Sequence, residues 1–166
     1  MPIPWESCIT MGDSWSYIPK ENFKSTTKLV HTLVDIVAKG GNLLLNVAPG
    51  PDGEWHEEAY QRLEEMGKWM NVNSIGIYET KPLAPYRQGK WAYTKKGSTT
   101  YAFYLAEAGE AIPASLKPEG LVIQTTAKIT LAGNKKALKL KDGFVQIPAK
   151  MIAEIGQQPA YLFVIE

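Results

Sequence analysis

Cysteine and histidine are almost absent from this chain: Cys8 stands alone, and His31 and His56 are the only imidazoles in 166 residues. A single thiol rules out an internal disulfide framework, and two isolated histidines argue against a histidine-based metal site. Long apolar runs are missing too, and none approaches the roughly 20 residues of a membrane-spanning helix. Charge of one sign is not in excess, since 18 Lys and Arg face 17 Asp and Glu and the net charge is +1. Without a basic patch or run, nothing recruits nucleic acid or an anionic membrane electrostatically. No Walker or Rossmann glycine pattern appears, so no nucleotide cofactor is implied. The opening residues Met1–Glu6 lack a basic stretch followed by an apolar core, so no secretory signal is visible in them.

What the sequence does contain is 45% hydrophobic residues, enough to build a real core in one domain or two small ones. Residues 40–53 are the most informative stretch. Leu43, Leu44, Leu45 and Val47 form a short apolar run, as in a parallel strand covered on both faces, and Pro49 to Gly53 are strong turn formers. A shorter strand is expected over Ser7–Met11, with a loop over Gly12–Asn22 after it. Between them Leu29, Val30, Leu33, Val34 and Val37 mark a helix from about Ser25, its N-cap, to Ala38, with Gly40 just past its end. A second helix is expected over about His56–Met70, burying Ala59, Leu63, Met66 and Met70 and wetting Glu57, Glu58, Glu64, Glu65 and Lys68.

From Lys81-Pro82-Leu83-Ala84-Pro85 onward helical spacing gives way to short alternating runs, which places a domain boundary near residue 82. Strands are expected at Trp91–Lys95, Thr99–Leu105, Leu121–Gln124, Lys128–Leu131, Leu138–Lys141, Phe144–Ile147 and Ala160–Ile165. Together they imply an antiparallel β-sandwich over residues 82–166. The fold class is therefore α/β followed by all-β. Two parallel strands cannot cover their own faces and edges, which leaves a small α/β layer supported by the sandwich, obligate oligomerisation, or truncation of a longer barrel. Two consecutive βα units before a sandwich favour the last: residues 1–81 read as the final two βα units of a TIM-like (β/α)8 barrel.

At this point the residues become recognisable. Trp5-Glu6-Ser7-Cys8-Ile9-Thr10-Met11, Asp13-Ser14-Trp15-Ser16-Tyr17, Gly41-Asn42-Leu43-Leu44-Leu45-Asn46-Val47-Ala48-Pro49 with Asp52-Gly53, then Gly67-Lys68-Trp69-Met70 and Ile77-Tyr78, together resemble the α-L-fucosidases of glycoside hydrolase family 29. The β-rich tail resembles that family's C-terminal sandwich. The resemblance implies a retaining exo-glycosidase releasing terminal α-L-fucose, with two carboxylates roughly 5–5.5 Å apart. It also implies that the nucleophilic aspartate and the fucose-binding histidines belong to earlier barrel strands than those in this chain. Periplasmic or secreted glycan degradation is implied by the family alone.

Individual residues carry two readings each. Glu6 is the family-motif carboxylate that could serve as acid/base, with Trp5 and Ile9 desolvating it; yet it opens its strand, whereas catalytic side chains project from C-terminal strand ends. Cys8 is flagged in the family as possibly important for catalysis, while fucoside hydrolysis needs no thiolate and packing explains a small apolar residue there. Trp15 lies on the loop at the functional end, where the family sets an aromatic against the fucose ring; the plainer role is anchoring the loop. Tyr17 is expected to buttress that loop. Asn42 and Asn46 flank the apolar run, and an amide there could orient a catalytic group or satisfy loop backbone. His31 is expected to be packed or hydrogen-bonded, His56 solvated, and Asp52-Gly53 a turn. Trp91, Tyr93, Tyr101, Phe103 and Tyr104 could form a glycan-binding face but read more simply as sandwich core.

The sequence thus points to the C-terminal part of a retaining α-L-fucosidase acting on fucosylated oligosaccharides or glycoconjugates, inactive on its own. The alternatives are a non-enzymatic carbohydrate-binding or accessory module, and a subunit that completes a barrel with a separately encoded N-terminal half. Without its missing neighbours the first half is expected to oligomerise through exposed strand edge.

Overall fold

The computed structural model describes residues 3–166. The chain begins with β1 (Trp5–Thr10), α1 (Thr26–Ala38), β2 (Gly41–Asn46) and α2 (Glu57–Asn73), closed by a 3-10 turn over Ser74–Gly76. Helix α1 starts where the Ser25 hydroxyl accepts the N–H of Lys28 at 3.2 Å, and it ends just before Gly40, whose φ of +83° suits a residue without Cβ. Leu29, Val30, Val34 and Ala38 are fully buried, as the apolar spacing predicts. Acidic Glu57 and Glu58 lie in the first turn of α2, where they complement the helix dipole. β1 and β2 run parallel in register, with Glu6 opposite Asn42, Cys8 opposite Leu44 and Thr10 opposite Asn46.

The second half adds β3 (Lys81–Gln88), β4 (Trp91–Lys96), β5 (Thr99–Leu105), β6 (Ser115–Leu116), β7 (Ile129–Leu131), β8 (Lys139–Lys141), β9 (Phe144–Gln146), α3 (Ala149–Ile155) and β10 (Ala160–Ile165). Five strands form an antiparallel sheet in the order β3-β4-β5-β10-β7, and three form a second in the order β6-β9-β8. The inner strands β4, β5 and β10 of the larger sheet are buried on both faces. Trp91, Tyr93, Tyr104, Tyr161 and Phe163 point toward Leu116, Leu138 and Val145 of the smaller sheet region and Met151 of α3. Their alternates Ala92, Phe103, Leu105 and Leu162 meet Leu29, Val30, Val34, Met66 and Trp69 of the helices. Each such large side chain contributes about 1.5–3 kcal/mol of hydrophobic burial. The β1-β2 layer therefore leans on the five-stranded sheet through α1 and α2.

The elements differ from the sequence expectation at three places. Leu121–Gln124 is not a strand. Leu121 and Ile123 do pack on the core while Val122 is 94% exposed, so the alternation is real, but it reports one buried side and supplies no ladder partner. Lys81–Gln88, which lies at the expected domain boundary and is not among the expected strands, is the edge strand β3. Its Pro82 and Pro85 are tolerated because the ladder shifts register between Pro82 and Arg87 and the outer edge needs no N–H donors. The short helix α3 follows Pro148, which lies at its N-cap. The plainer reading of the aromatics holds: Trp91, Tyr93, Tyr101, Phe103 and Tyr104 are all buried in the core, so they offer no glycan face.

Candidate functional site

Strand geometry divides β1-β2 into two faces. Trp5 packs over Gly41, and Leu45 belongs to the helix-facing core. The alternate residues Glu6, Cys8, Asn42 and Leu44 are exposed on the other face, which no element among the described residues covers. Among the described residues Glu6 is the only carboxylate on that face, and the Cys8 Sγ donates toward its Oε1 at 3.8 Å. Trp5 and Ile9 point to the opposite side, so they do not supply the desolvation of Glu6 that their sequence proximity suggested.

The loop over residues 11–25 rises from the C-terminal end of β1 and is tied down at several points. Met11 donates its N–H to Asn46 O at 2.9 Å, and Lys24 returns its own N–H to Met11 O at 2.9 Å. The Lys24 ammonium also reaches Gly12 O at 2.5 Å and Thr10 Oγ1 at 3.3 Å. Inside this frame the Glu21 carboxylate accepts the N–H groups of Asp13 at 2.9 Å, Ser14 at 3.3 Å and Asn22 at 3.0 Å. A Cβ at Gly12 would run into that carboxyl, so only glycine lets Glu21 fold beneath the loop. Asn22 adds a side-chain bond to Asp13 Oδ2 at 2.9 Å. A carboxylate so committed to backbone donors is a structural brace.

Trp15 stands at the outside of this loop with 58% of its surface exposed. Its carbonyl accepts from the Asn46 side chain at 3.0 Å, so Asn46 satisfies loop backbone and fixes the tryptophan to the end of β2. Tyr17 stacks on His56, with ring centroids 4.7 Å apart and planes 9° from parallel. Phe23 meets the same imidazole edge-on at 5.6 Å, and His56 Nε2 lies 2.9 Å from Ile18 O. His56 is therefore half-buried and engaged, which corrects the expectation of a solvated side chain. Tyr17 buttresses the loop as expected.

The next loop presents a second aromatic pair. Trp55 and Tyr60 approach to 5.4 Å between centroids, and the Tyr60 hydroxyl donates to Glu54 Oε2 at 2.6 Å. That contact holds the Tyr60 phenol above its usual pKa. Asp52 and Gly53 form a turn in which Asp52 Oδ1 accepts the N–H of Glu54 at 3.1 Å and Gly53 has φ +85°. His31 donates from Nε2 to Pro159 O at 2.8 Å, the packed role expected of it. No group of three or more His, Cys, Asp or Glu that could hold a metal ion occurs among the described residues. Sequence reasoning missed Glu21, Trp55 and the engagement of His56. Their partners lie on other loops or depend on how a loop folds, so no local pattern flags them.

The alpha-L-fucosidase family model matches residues 1–75. Tissue alpha-L-fucosidase of Bos taurus is 33% identical over 81% of this chain, and the alpha-L-fucosidase of Branchiostoma floridae 37% identical over 61% of it. The chain belongs to the α-L-fucosidase family. Solved fucosidase structures extend the likeness to the whole fold. The Thermotoga maritima alpha-fucosidase in complex with fucose superposes with a TM-score of 0.84 at 26% identity, covering 98% of this chain and 40% of that one. Alpha-L-fucosidase isoenzyme 1 from Paenibacillus thiaminolyticus does so with a TM-score of 0.78 at 28% identity, covering 99% and 40%. The match lies in the C-terminal portion of the fucosidases, and the chain spans 29% of the bovine relative's length.

Proposed function

We propose that this chain supplies the C-terminal end of a retaining α-L-fucosidase that hydrolyses terminal α-L-fucosyl linkages of oligosaccharides or glycoconjugates. In this reading residues 1–81 form the last two βα units of a TIM-like barrel and residues 82–166 its C-terminal β-sandwich. The open face of β1-β2 would then look into the barrel, and the Trp15 loop would form part of the pocket rim. The observation that carries the reading is Trp15: a large apolar ring, 58% exposed, held by its carbonyl to Asn46 at the C-terminal strand end where barrel enzymes place their sites. A ring so presented suits the apolar C–H face and methyl group of fucose, and loop anchoring is already provided by Asn46, Glu21 and His56.

Retaining hydrolysis needs a carboxylate nucleophile and a second carboxyl that protonates the leaving oxygen and later activates water. Glu6 is the candidate for the second role, since Glu21, Asp13, Asp52 and Glu54 are each taken by hydrogen bonds within their loops. No residue of this chain is assigned as nucleophile, which the reading draws from the barrel strands that precede β1 in the relatives. Cys8 is a structural neighbour of Glu6, not a reacting group.

Nitrophenyl α-L-fucoside tests the reading. The isolated 166-residue chain is expected to release no nitrophenol, whereas the same chain joined to its preceding barrel strands turns over and loses most of its rate on Trp15→Ala. Robust turnover by the isolated chain overturns the assignment of the nucleophile elsewhere.

A further inference from the structure

Position 56 is the N-cap of the 17-residue helix α2, a place where Ser, Thr, Asp or Asn usually accepts a free helix N–H. His56 makes no such bond. Its ring is spent on another loop. One face stacks on Tyr17, Phe23 closes its edge, and Nε2 lies 2.9 Å from Ile18 O. A carbonyl can only accept, so Nε2 carries the hydrogen and donates it. Tyr17 and Ile18 follow Trp15 by two and three residues, and Asn46 holds the Trp15 carbonyl from the other side. The loop tip bearing Trp15 is thus gripped on both flanks, by β2 through Asn46 and by the start of α2 through His56.

We propose that His56 is a positioning residue, which clamps the Trp15 loop so that the indole is fixed for the fucosyl ring before the sugar arrives. This rests on the reading of Trp15 as the sugar contact. His56 itself touches no sugar. A ring held in place before binding loses little further freedom on binding, so the clamp acts on affinity through preorganisation. Because His56 caps no helix N–H, replacing it should leave α2 largely intact, which separates the clamp from a general stability effect.

The test is backbone hydrogen exchange in the full 166-residue chain, reading amides 13–22 against those of α1 and β10. His56→Ala removes the donor and the stack and is expected to speed loop exchange about tenfold, with α1 and β10 unchanged. His56→Gln, which can still offer an amide N–H to Ile18 O, should restore most of the protection, and His56→Phe, which stacks without donating, should fall between. Unchanged loop exchange in His56→Ala, or no recovery in His56→Gln, overturns the clamp. If His56→Ala also loosens β10, the comparison of the Phe and Gln variants decides instead. L-fucose titration of the chain joined to its preceding barrel strands is the second arm: His56→Ala should weaken binding about tenfold, as the exchange change implies, and add nothing in a variant already lacking Trp15. Loosened loop exchange with unaltered L-fucose affinity overturns the positioning role. Absence of L-fucose binding by the joined protein overturns the sugar reading and the positioning role with it, while the clamp stands or falls on exchange alone.

Discussion

Trp69 donates its indole N–H to the carbonyl of Ala160 at 2.8 Å, tying α2 to the first residue of β10. The adjacent carbonyl of Pro159 accepts from His31 of α1 at 2.8 Å, so both helices grip the same end of the same strand. Trp69 is 3% exposed and packs beside Phe103. Trp69→Phe should cost about 1–3 kcal/mol by leaving Ala160 O without its donor, and Trp69→Ala about 3–5 kcal/mol through the added cavity. Urea denaturation followed by circular dichroism checks both. The shared core also predicts one transition for helices and sheet, not two.

Gly76 is where the turn after α2 passes closest to the sheet. A Cβ there would lie 2.7 Å from Phe103 Cζ and 2.9 Å from Leu162 Cδ2, both fully buried. Gly76→Ala should therefore destabilise by about 1–3 kcal/mol, the range for overpacking a tight core. Gly97, with nothing within 4 Å of its Cβ position, is the spatial control, although its φ of +59° adds strain of its own to any substitution. A lowered urea midpoint at 76 that exceeds the change at 97 bears this out.

Glu110 sets an acid limit on stability. The Lys90 ammonium at 2.6 Å, then the Tyr104 hydroxyl at 2.6 Å and the Glu107 N–H at 2.8 Å, hold its carboxyl down to about 2, from an ordinary value of 4.5. Because the folded value lies below the unfolded one, this contribution is fully present above pH 4.5 and is lost as the pH falls from there toward about 2. Glu110→Gln should flatten that part of the stability profile, read as urea midpoint against pH. An unchanged acid limb would contradict the assignment.

Much of the fold is legible in the sequence because its signals are local. Ser25 and the Leu29, Val30, Val34 spacing mark α1, and the continuous apolar runs Tyr101–Leu105 and Tyr161–Ile165 mark the central strands, as expected of strands buried on both faces. What is not legible depends on neighbours. β3 hides behind Pro82 and Pro85, since only its place at a sheet edge makes prolines tolerable there. Leu121–Gln124 has the pattern of a strand but no partner to pair with. At the candidate site, the place of Trp15 on the loop after β1 follows from its motif, and its role toward the sugar is the proposal made above. Glu21 as a brace and His56 as a clamp become visible only when the loop is folded, because the contact of His56 with Ile18 spans 38 positions of chain.

Exposure predicts that Trp15 can be removed without harm to the fold. Trp15→Ala should shift stability by no more than about 0.5 kcal/mol, as surface substitutions usually do, while weakening L-fucose binding by the chain joined to its preceding barrel strands about tenfold. A variant that unfolds or binds unchanged would show that the indole anchors the loop and does not meet the sugar.

The most direct measurement is an L-fucose titration of the chain joined to its preceding barrel strands, with the 166 residues isotope-labelled and followed by nuclear magnetic resonance. The account predicts shifts at the Trp15 indole, Tyr17 and the Asn46 side chain, with residues 91–165 of the sheets unmoved. Shifts confined to the sheets, or none near Trp15, would contradict it.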